Sequence, residues 1–290
     1  MILITGASGT VGRAVLMEAL KRGAPLRAMY RNAEDAGKAP AGVSTVIADF
    51  SSKDSLKPAL AGVDTVFLVC SPIPALAELE GNMIDACVTA GVKHIVLNSA
   101  LGADEYPKSF PRWHKLVEDR LKTAGLGYTI LRPNGFMQNI LAYLAPSIRA
   151  QGAFYAAMGN ARTSYIDVGD IAGVAANALT APDAYAGKAY DLNGPEAVTY
   201  AELAERISKV ANRKVTFVNI PEEAQRKSML DLGMPEWQVN ALLELQQYYT
   251  SGKGGEVTDL LPRVLGRPPV TLDRFLVESR DQFRSQAAGA

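Results

Sequence analysis

Histidine, cysteine and tryptophan each occur only twice in this chain of 290 residues. No His, Cys and carboxylate residues fall together at metal-ligand spacing, so no metal is expected. Cys70 and Cys87 lie in apolar stretches that read as a strand end and a helix, where a small buried thiol is the ordinary outcome. That pattern suits a reducing, cytoplasmic setting better than a disulfide framework. Net charge is also missing, because 30 basic residues balance 30 acidic ones. Without an overall field, neither a nucleic-acid backbone nor an anionic membrane is an expected partner. No apolar run is long enough for a membrane-spanning helix. Met1-Ile2-Leu3-Ile4 leads straight into glycines, unlike a secretory leader. A Gly-x-Ser-x-Gly elbow and a Cys-His pair are both absent, which argues against hydrolysis.

What is present is an α/β pattern. With 48% apolar residues the chain can build a large core. Its first half alternates short apolar runs with helical patterns, which predicts a doubly wound parallel sheet. Strands are expected at Ile2–Thr5, Leu26–Tyr30, Thr45–Ala48, Thr65–Val69, His94–Asn98 and Tyr128–Leu131. Helices are expected at Val11–Arg22, Lys53–Leu60, Leu76–Ala90 and Trp113–Thr123, several of them closed by glycine. Residues 1–133 therefore read as a Rossmann core, with later segments near 163–193 packing back on it. Residues 134–290 read mainly as a smaller, mostly helical substrate lobe. Its helices are expected near Met137–Arg149, Val168–Leu179 and Tyr200–Val210, with short strands near Ser164–Asp167 and Val215–Ile220. Met229, Leu232, Met234, Trp237, Leu242 and Leu245 recur in a helical rhythm that suggests core or lid packing. Only the tail Gln286–Ala290 reads as disordered.

Gly6-Ala7-Ser8-Gly9-Thr10-Val11-Gly12 follows the first strand and opens the first helix, the context in which a glycine motif gains meaning. Three glycines at this spacing allow a tight turn, close approach of backbone to a pyrophosphate, and close packing of helix on strand. The helix start adds free N–H groups and a positive dipole end. A dinucleotide is the expected ligand. An acid at the end of the second strand would bind the ribose of NAD, but here that strand ends in Tyr30-Arg31. Arg31 offers a permanently charged fork for the extra phosphate of NADP. NADP(H) is thus expected, with NAD(H) as the alternative.

The Gly-x-x-Gly-x-x-Gly spacing resembles the short-chain dehydrogenase superfamily, and more narrowly its NmrA-like atypical group. Tyr30-Arg31-Asn32, Asn98-Ser99-Ala100-Leu101-Gly102-Ala103 and Tyr128-Thr129-Ile130-Leu131-Arg132-Pro133 carry the resemblance. So do Phe136-Met137-Gln138-Asn139, Tyr165-Ile166-Asp167-Val168-Gly169-Asp170-Ile171-Ala172 and Tyr190-Asp191-Leu192-Asn193-Gly194-Pro195. That group includes quinone reductases, triphenylmethane reductases and a regulator that senses dinucleotides. The resemblance implies cofactor contacts from Asp49, Phe50, Cys70, Ser71, Asn98, Ser99, His114, Pro133, Asn134 and Phe136. For Asp49, capping of the Ser51-Ser52 helix start is a second reading.

Better known members of the superfamily use a Tyr-x-x-x-Lys pair, and aligning on Glu118 puts Phe110 at the tyrosine and His114 at the lysine. Phenylalanine carries no proton. Tyr106 is a nearby phenol, in a loop that Pro107 and Pro111 bracket. Ser99 and His114 are the candidate catalytic residues, Ser99 as the family's active-site serine or an ordinary strand-end hydroxyl. His114 is expected to hydrogen-bond the nicotinamide ribose or donate a proton, with Glu118 orienting its ring, or else to be a structural histidine salt-bridged to Glu118. His94 reads as structural. Candidate substrate-wall residues, by family position, are Ser71, Pro72, Asn134, Phe136, Asn139 and Tyr165. This apolar and aromatic set suits a small aromatic or conjugated substrate. The leading expectation is an NADPH-dependent reductase of flat, electron-poor acceptors. A non-catalytic redox sensor with a protein partner and a sugar epimerase are the alternatives, and homo-oligomerisation is left open.

Overall fold

The structure, a computed structural model, describes residues 1–284. The tail expected at Gln286–Ala290 lies outside the described residues. The chain forms two compact units, one made of Met1–Pro133 with Val168–Leu192, the other of Asn134–Asp167 with the residues from Asn193 onward.

Strands numbered along the chain are β1 (Ile2–Ile4), β2 (Leu26–Tyr30), β3 (Ser44–Ile47), β4 (Thr65–Leu68), β5 (His94–Asn98), β6 (Gly127–Pro133), β7 (Ala153–Ala156), β8 (Arg162–Thr163), β9 (Lys188–Leu192), β10 (Val198–Thr199) and β11 (Thr216–Asn219). The first unit is a seven-stranded sheet in the order β3-β2-β1-β4-β5-β6-β9, parallel throughout. This is the doubly wound α/β fold. Ile2 pairs with Leu26 on one side and Thr65 on the other, so the winding reverses between β1 and β4. Ligands of such sheets bind in the crevice at the carboxyl ends of those strands. The central strands β1, β4 and β5 are buried on both faces because helices cover both. On one face Leu3, Val66, Leu68, Ile95 and Leu97 pack with Leu56 of helix α3 (Lys53–Ala59), Met83 and Ile84 of α4 (Leu76–Ala90), and Val117 and Leu121 of α5 (Ser109–Thr123). Burying a side chain of this size contributes about 1.5–3 kcal/mol. Elsewhere in this unit α1 (Thr10–Lys21) packs against the helix Val168–Thr180, and Arg22 Nη1 donates to Asn177 Oδ1 at 2.6 Å.

Two details depart from the expectation. The sheet gains β9, whose Tyr190 and Leu192 pair with Leu131 and Pro133; its half-exposed, mixed sequence hides the strand signal. Helix α5 starts at Ser109 rather than Trp113. Pro111 is tolerated there because first-turn N–H groups have no partner within the helix.

The second unit is mostly helical. In it β7 pairs with β11 in parallel and β8 with β10 antiparallel. Its core joins Phe154, Leu203, Ile207, Phe275, Leu276 and Phe283, and Phe154 stacks on Phe217 at 5.5 Å. Thr199 and Glu202 close a capping box on the helix Tyr200–Ala211, satisfying two otherwise orphan donors. The helix expected over Met137–Arg149 is broken. It runs as Met137–Asn139, a π-helical turn Ile140–Leu144, and Ala145–Gln151. Pro146, which has no N–H to continue the ladder, stands one residue past the π turn, after Ala145. The strand expected at Ser164–Asp167 reduces to a single bridge between Ile166 and Phe136.

Candidate functional site

The glycine turn divides its labour. Gly6 has φ +58, and a Cβ there would lie 2.7 Å from Val69 Cγ1. At Gly12 a Cβ would lie 2.1 Å from the Gly6 carbonyl oxygen. Both positions exclude a side chain for internal reasons. A Cβ on Gly9 would instead meet only the Gly6 oxygen, at 3.3 Å. Gly9 is the exposed N-cap residue of α1, so its outer face is open to a ligand. Gly6, Ser8, Gly9 and Thr10 are exposed, whereas Ala7, Val11 and Gly12 are buried. The first four can touch a cofactor, and the other three hold the turn against the sheet.

Around the turn stand the other strand ends. Arg31 is exposed just beyond β2, and its charge helps hold the Asp49 carboxyl below its usual value, after the larger effect of hydrogen bonds from Ser51. Asp49 Oδ1 accepts from the Ser51 amide at 2.7 Å, an Asx turn ahead of α3, whose N-cap residue is Ser52 with no side-chain cap. The Phe50 ring packs with the core of the first unit. Sequence reasoning passed over Arg13, an exposed residue of α1 whose charge acts on the Tyr30 phenol. Cys70 is half-buried, and Ser71 and Pro72 are exposed in the loop after β4. Burial, followed by the charge of Glu80, pushes the Cys70 thiol up to about 11, so no reactive thiolate is present. At the end of β5, Asn98 is buried and its Oδ1 has no hydrogen-bond partner.

The candidate catalytic residues form a buried network. Pro111, His114, Val117, Glu118 and Leu121 share the inner face of α5. Arg132 grips Glu118 twice, and Ser99 Oγ donates to Glu118 Oε1 at 2.6 Å. Ser99 is 2% exposed and its proton is committed to that hydrogen bond. His114 is buried on the same face of α5. Burial, against a smaller opposing effect of Glu118, pushes its pKa down to about 4. At neutral pH the ring is uncharged and holds no imidazolium proton to give. Its Nδ1 has no partner, while both Glu118 oxygens are bound by Arg132, so the expected Glu118–His114 ring orientation is not formed. Phe110 packs edge-on against Trp113 at 5.2 Å. His94 is structural, its Nε2 lying 2.9 Å from Thr129 Oγ1. Pro133 ends β6, and its carbonyl accepts from the Leu101 amide at 3.1 Å.

In the second unit the Asn134 amide group donates to Ser164 Oγ, Asn193 Oδ1 and the Gly254 carbonyl at 2.8–2.9 Å, and its Oδ1 accepts from the Gly135 amide. With its amide engaged at 2% exposure, this residue ties loops together. The unit holds a cavity of about 410 Å³, within the size range of small-molecule sites. It brings together Asn139 and Tyr165 from the expected wall, but not Phe136. The π turn helps, since Asn139, Ile140, Tyr143 and Leu144 all face the cavity. Met229, Leu232, Met234, Leu242 and Leu245, expected as core or lid packing, form much of its wall instead. Sequence reasoning missed Tyr155, Tyr200 and Tyr249, which lie far apart along the chain. Tyr165 and Tyr200 hydrogen-bond each other, with Thr163 on Tyr165. Burial raises the pKa of both phenols and of Tyr249, so all three are neutral hydrogen-bonding groups. No charged residue lines the cavity. Among the described residues no cluster could hold a metal ion, and no helix is long and apolar enough to cross a membrane.

Comparison with known proteins adds the lineage. The chain is 37% identical over 277 residues to an NAD(P)H azoreductase of Xenophilus azovorans, covering 95% of this chain and 96% of that one. The structure superposes with a TM-score of 0.88 on the NADPH-dependent quinone oxidoreductase of Escherichia coli complexed with NADPH, at 30% identity over 97% of this chain and 99% of the other. With the triphenylmethane reductase of Citrobacter sp. complexed with NADP(H) the TM-score is 0.86 at 26% identity, covering 97% and 100% of the two chains. The family model described as the NmrA-like family matches residues 1–270. This chain is therefore a member of the NmrA-like family.

Proposed function

We propose that the protein is an NADPH-dependent reductase of flat, electron-poor acceptors such as quinones or azo dyes. The observation that carries this reading is the open face of Gly9 at the sheet's reversal point, in a chain related over nearly its whole length to reductases named for such acceptors. The adjoining Arg31 guanidinium, exposed beyond β2, suits the extra phosphate of NADPH. The unpartnered Asn98 Oδ1 and His114 Nδ1 are fitting contacts for a ribose or carboxamide.

Bound NADPH supplies the hydride. The protein's own part is to position and to exclude water. The second unit serves as the substrate lobe, with its uncharged cavity as the acceptor site. Tyrosine and methionine walls suit a conjugated ring system, and the Tyr165, Tyr200 and Tyr249 phenols offer hydrogen bonds to an acceptor oxygen or nitrogen. With Phe110 at the usual tyrosine position and His114 neutral, α5 offers no acid for an alkoxide. A quinone or dye, which spreads the incoming charge over its own π-system, needs none at the moment of hydride transfer. Two free cysteines agree with a cytoplasmic setting.

The test is NADPH oxidation with a panel of quinones, azo dyes and triarylmethane dyes. Turnover with at least one class is expected. Tight NADPH binding without oxidation by any acceptor would favour the redox-sensor reading instead.

A further inference from the structure

Helix α4 turns one side inward through Leu76, Glu80, Met83, Ile84 and Cys87. That spacing is an ordinary apolar stripe, except that one place in it holds a carboxyl group. Glu80 is 0% exposed, and neither carboxyl oxygen has a hydrogen-bond partner. The Cys70 amide draws its pKa down against the larger effect of burial, without making a full hydrogen bond to either oxygen. An unpaired carboxylate in such a place is costly, and a carboxyl group so placed keeps its proton instead.

Its location gives it a reach beyond packing. Glu80 lies beneath the loop that follows β4, where Cys70 feels the charges of Arg31 and Asp49 and, once it ionises, that of Glu80. The residue before Cys70, Val69, packs against the glycine turn, where a Cβ on Gly6 would lie 2.7 Å from its Cγ1. The other elements around α4 do not neutralise the acid. From α5, Arg120 lies against Gly81 but is paired with Asp85. The inner face of α5 carries neutral His114, and Glu118 already held by Arg132. On α3, Lys53, Asp54 and Lys57 are exposed.

We propose that Glu80 is a positioning residue of the dinucleotide site, a neutral acid beneath the Cys70-Ser71 loop whose proton is linked to cofactor binding. The inference rests on the reading that the glycine turn holds NADPH. Burial pushes Glu80 up to about 8, so it is mostly protonated at neutral pH. The phosphates of a cofactor over the loop add negative charge nearby, and like charge favours the protonated form further. Linkage is reciprocal: a cofactor that tightens the proton is itself bound more tightly by the protonated protein. Affinity therefore falls as pH rises through the value at which free Glu80 ionises.

The experiment is titration of the full chain with NADPH between pH 7 and 9.5, followed by nicotinamide fluorescence. In this range the cofactor's own phosphates no longer titrate. The expected result is a Kd that rises about three- to tenfold from pH 7 to pH 9, bounded by tenfold per pH unit for one proton. In Glu80→Gln, checked for folding by circular dichroism, Kd is expected to stay level across the same range. A level profile in the wild type, or equal slopes in both proteins, would overturn the proposal. Wild-type protein in weak buffer at pH 8.5 provides a measurement independent of the variant. Adding NADPH should take up a fraction of a proton per site, read with an indicator dye, and no uptake would equally overturn the proposal. Failure of the wild type to bind NADPH at pH 7 is a different outcome, which removes the dinucleotide reading and this inference with it.

Discussion

Arg132 holds Glu118 through two parallel hydrogen bonds, Nε to Oε1 at 2.8 Å and Nη2 to Oε2 at 2.7 Å. Their side chains are 6% and 0% exposed. The pair fastens α5 to β6, and the Ser99 hydroxyl joins the end of β5 to the same carboxylate. Burial acts against the Glu118 charge, but the Arg132 and Ser99 hydrogen bonds outweigh it and keep the carboxyl below its ordinary value.

Breaking this pair from one side should be costly because the other charge stays buried. We expect Arg132→Met to lower unfolding free energy by about 3–5 kcal/mol, measured by urea denaturation. The double variant Arg132→Met/Glu118→Leu should recover most of the loss. A double variant as unstable as the single one would show that the packing, not the stranded charge, sets the cost.

The glycines of the turn should separate by phenotype. Gly9→Val should fold and lose NADPH binding, since its side chain would fill the open face. Gly12→Ala should destabilise the fold itself, because its Cβ would lie 2.1 Å from the Gly6 oxygen. Circular dichroism and cofactor fluorescence on both variants test this together. Normal NADPH affinity in Gly9→Val would remove the turn from the cofactor site.

Cofactor preference should follow Arg31. A charge-assisted contact is worth roughly 1.5–3 kcal/mol, so Arg31→Ala should weaken NADPH about one to two decades and leave NADH nearly unchanged. Equal losses for both cofactors would assign the phosphate contact elsewhere, with Arg13 the first residue to examine.

His114 should not titrate near neutrality. Its folded-state pKa is lowered from 6.5 to about 4, so the unfolded chain takes up the proton first as pH falls. The stability it lends is therefore complete above about pH 6.5 and lost between there and pH 4, by roughly 3 kcal/mol in total. His114→Gln should flatten that part of the stability profile. NMR titration of the ring gives a direct check, and a transition near pH 6.5 would contradict the buried, neutral state.

Acceptor choice should reflect the missing acid. We expect turnover with quinones or dyes and little with unactivated ketones, because losing general acid catalysis costs about a hundred- to ten-thousandfold. Tyr249→Phe should raise KM for a quinone more than it lowers kcat if the cavity binds the acceptor. Fast reduction of a simple ketone would point to an acid outside α5, and Tyr106 would be the first candidate.

Much of this was legible in the chain itself. Apolar and β-branched runs place the six strands β1 to β6, since a buried parallel strand such as β4 or β5 must be apolar along its length and an edge strand such as β3 still needs β-branched residues. The glycine spacing locates the turn, because only glycine tolerates such close backbone contacts. The Arg31 charge at a strand end needs no fold beyond the βαβ unit. Other features were not legible. Strand β9 joins from far along the chain with a mixed sequence, and its place depends on pairing with β6. The packing of the Phe50 ring into the core is likewise a matter of the fold, since its place after β3 says nothing of which way the ring turns.

The sequence by itself determined the local, periodic features: strands, helices, the phosphate-binding turn and the absence of a tyrosine at position 110. Only the tertiary structure decided the state of the buried polar groups. Whether Ser99 is free, whether His114 carries charge, and whether Glu80 keeps its proton depend on which atoms surround them. Those atoms come from Arg132, from the inner faces of α4 and α5, and from the loop after β4. Burial and partners fix the protonation of such groups, and these properties belong to the packed molecule rather than to the order of its residues.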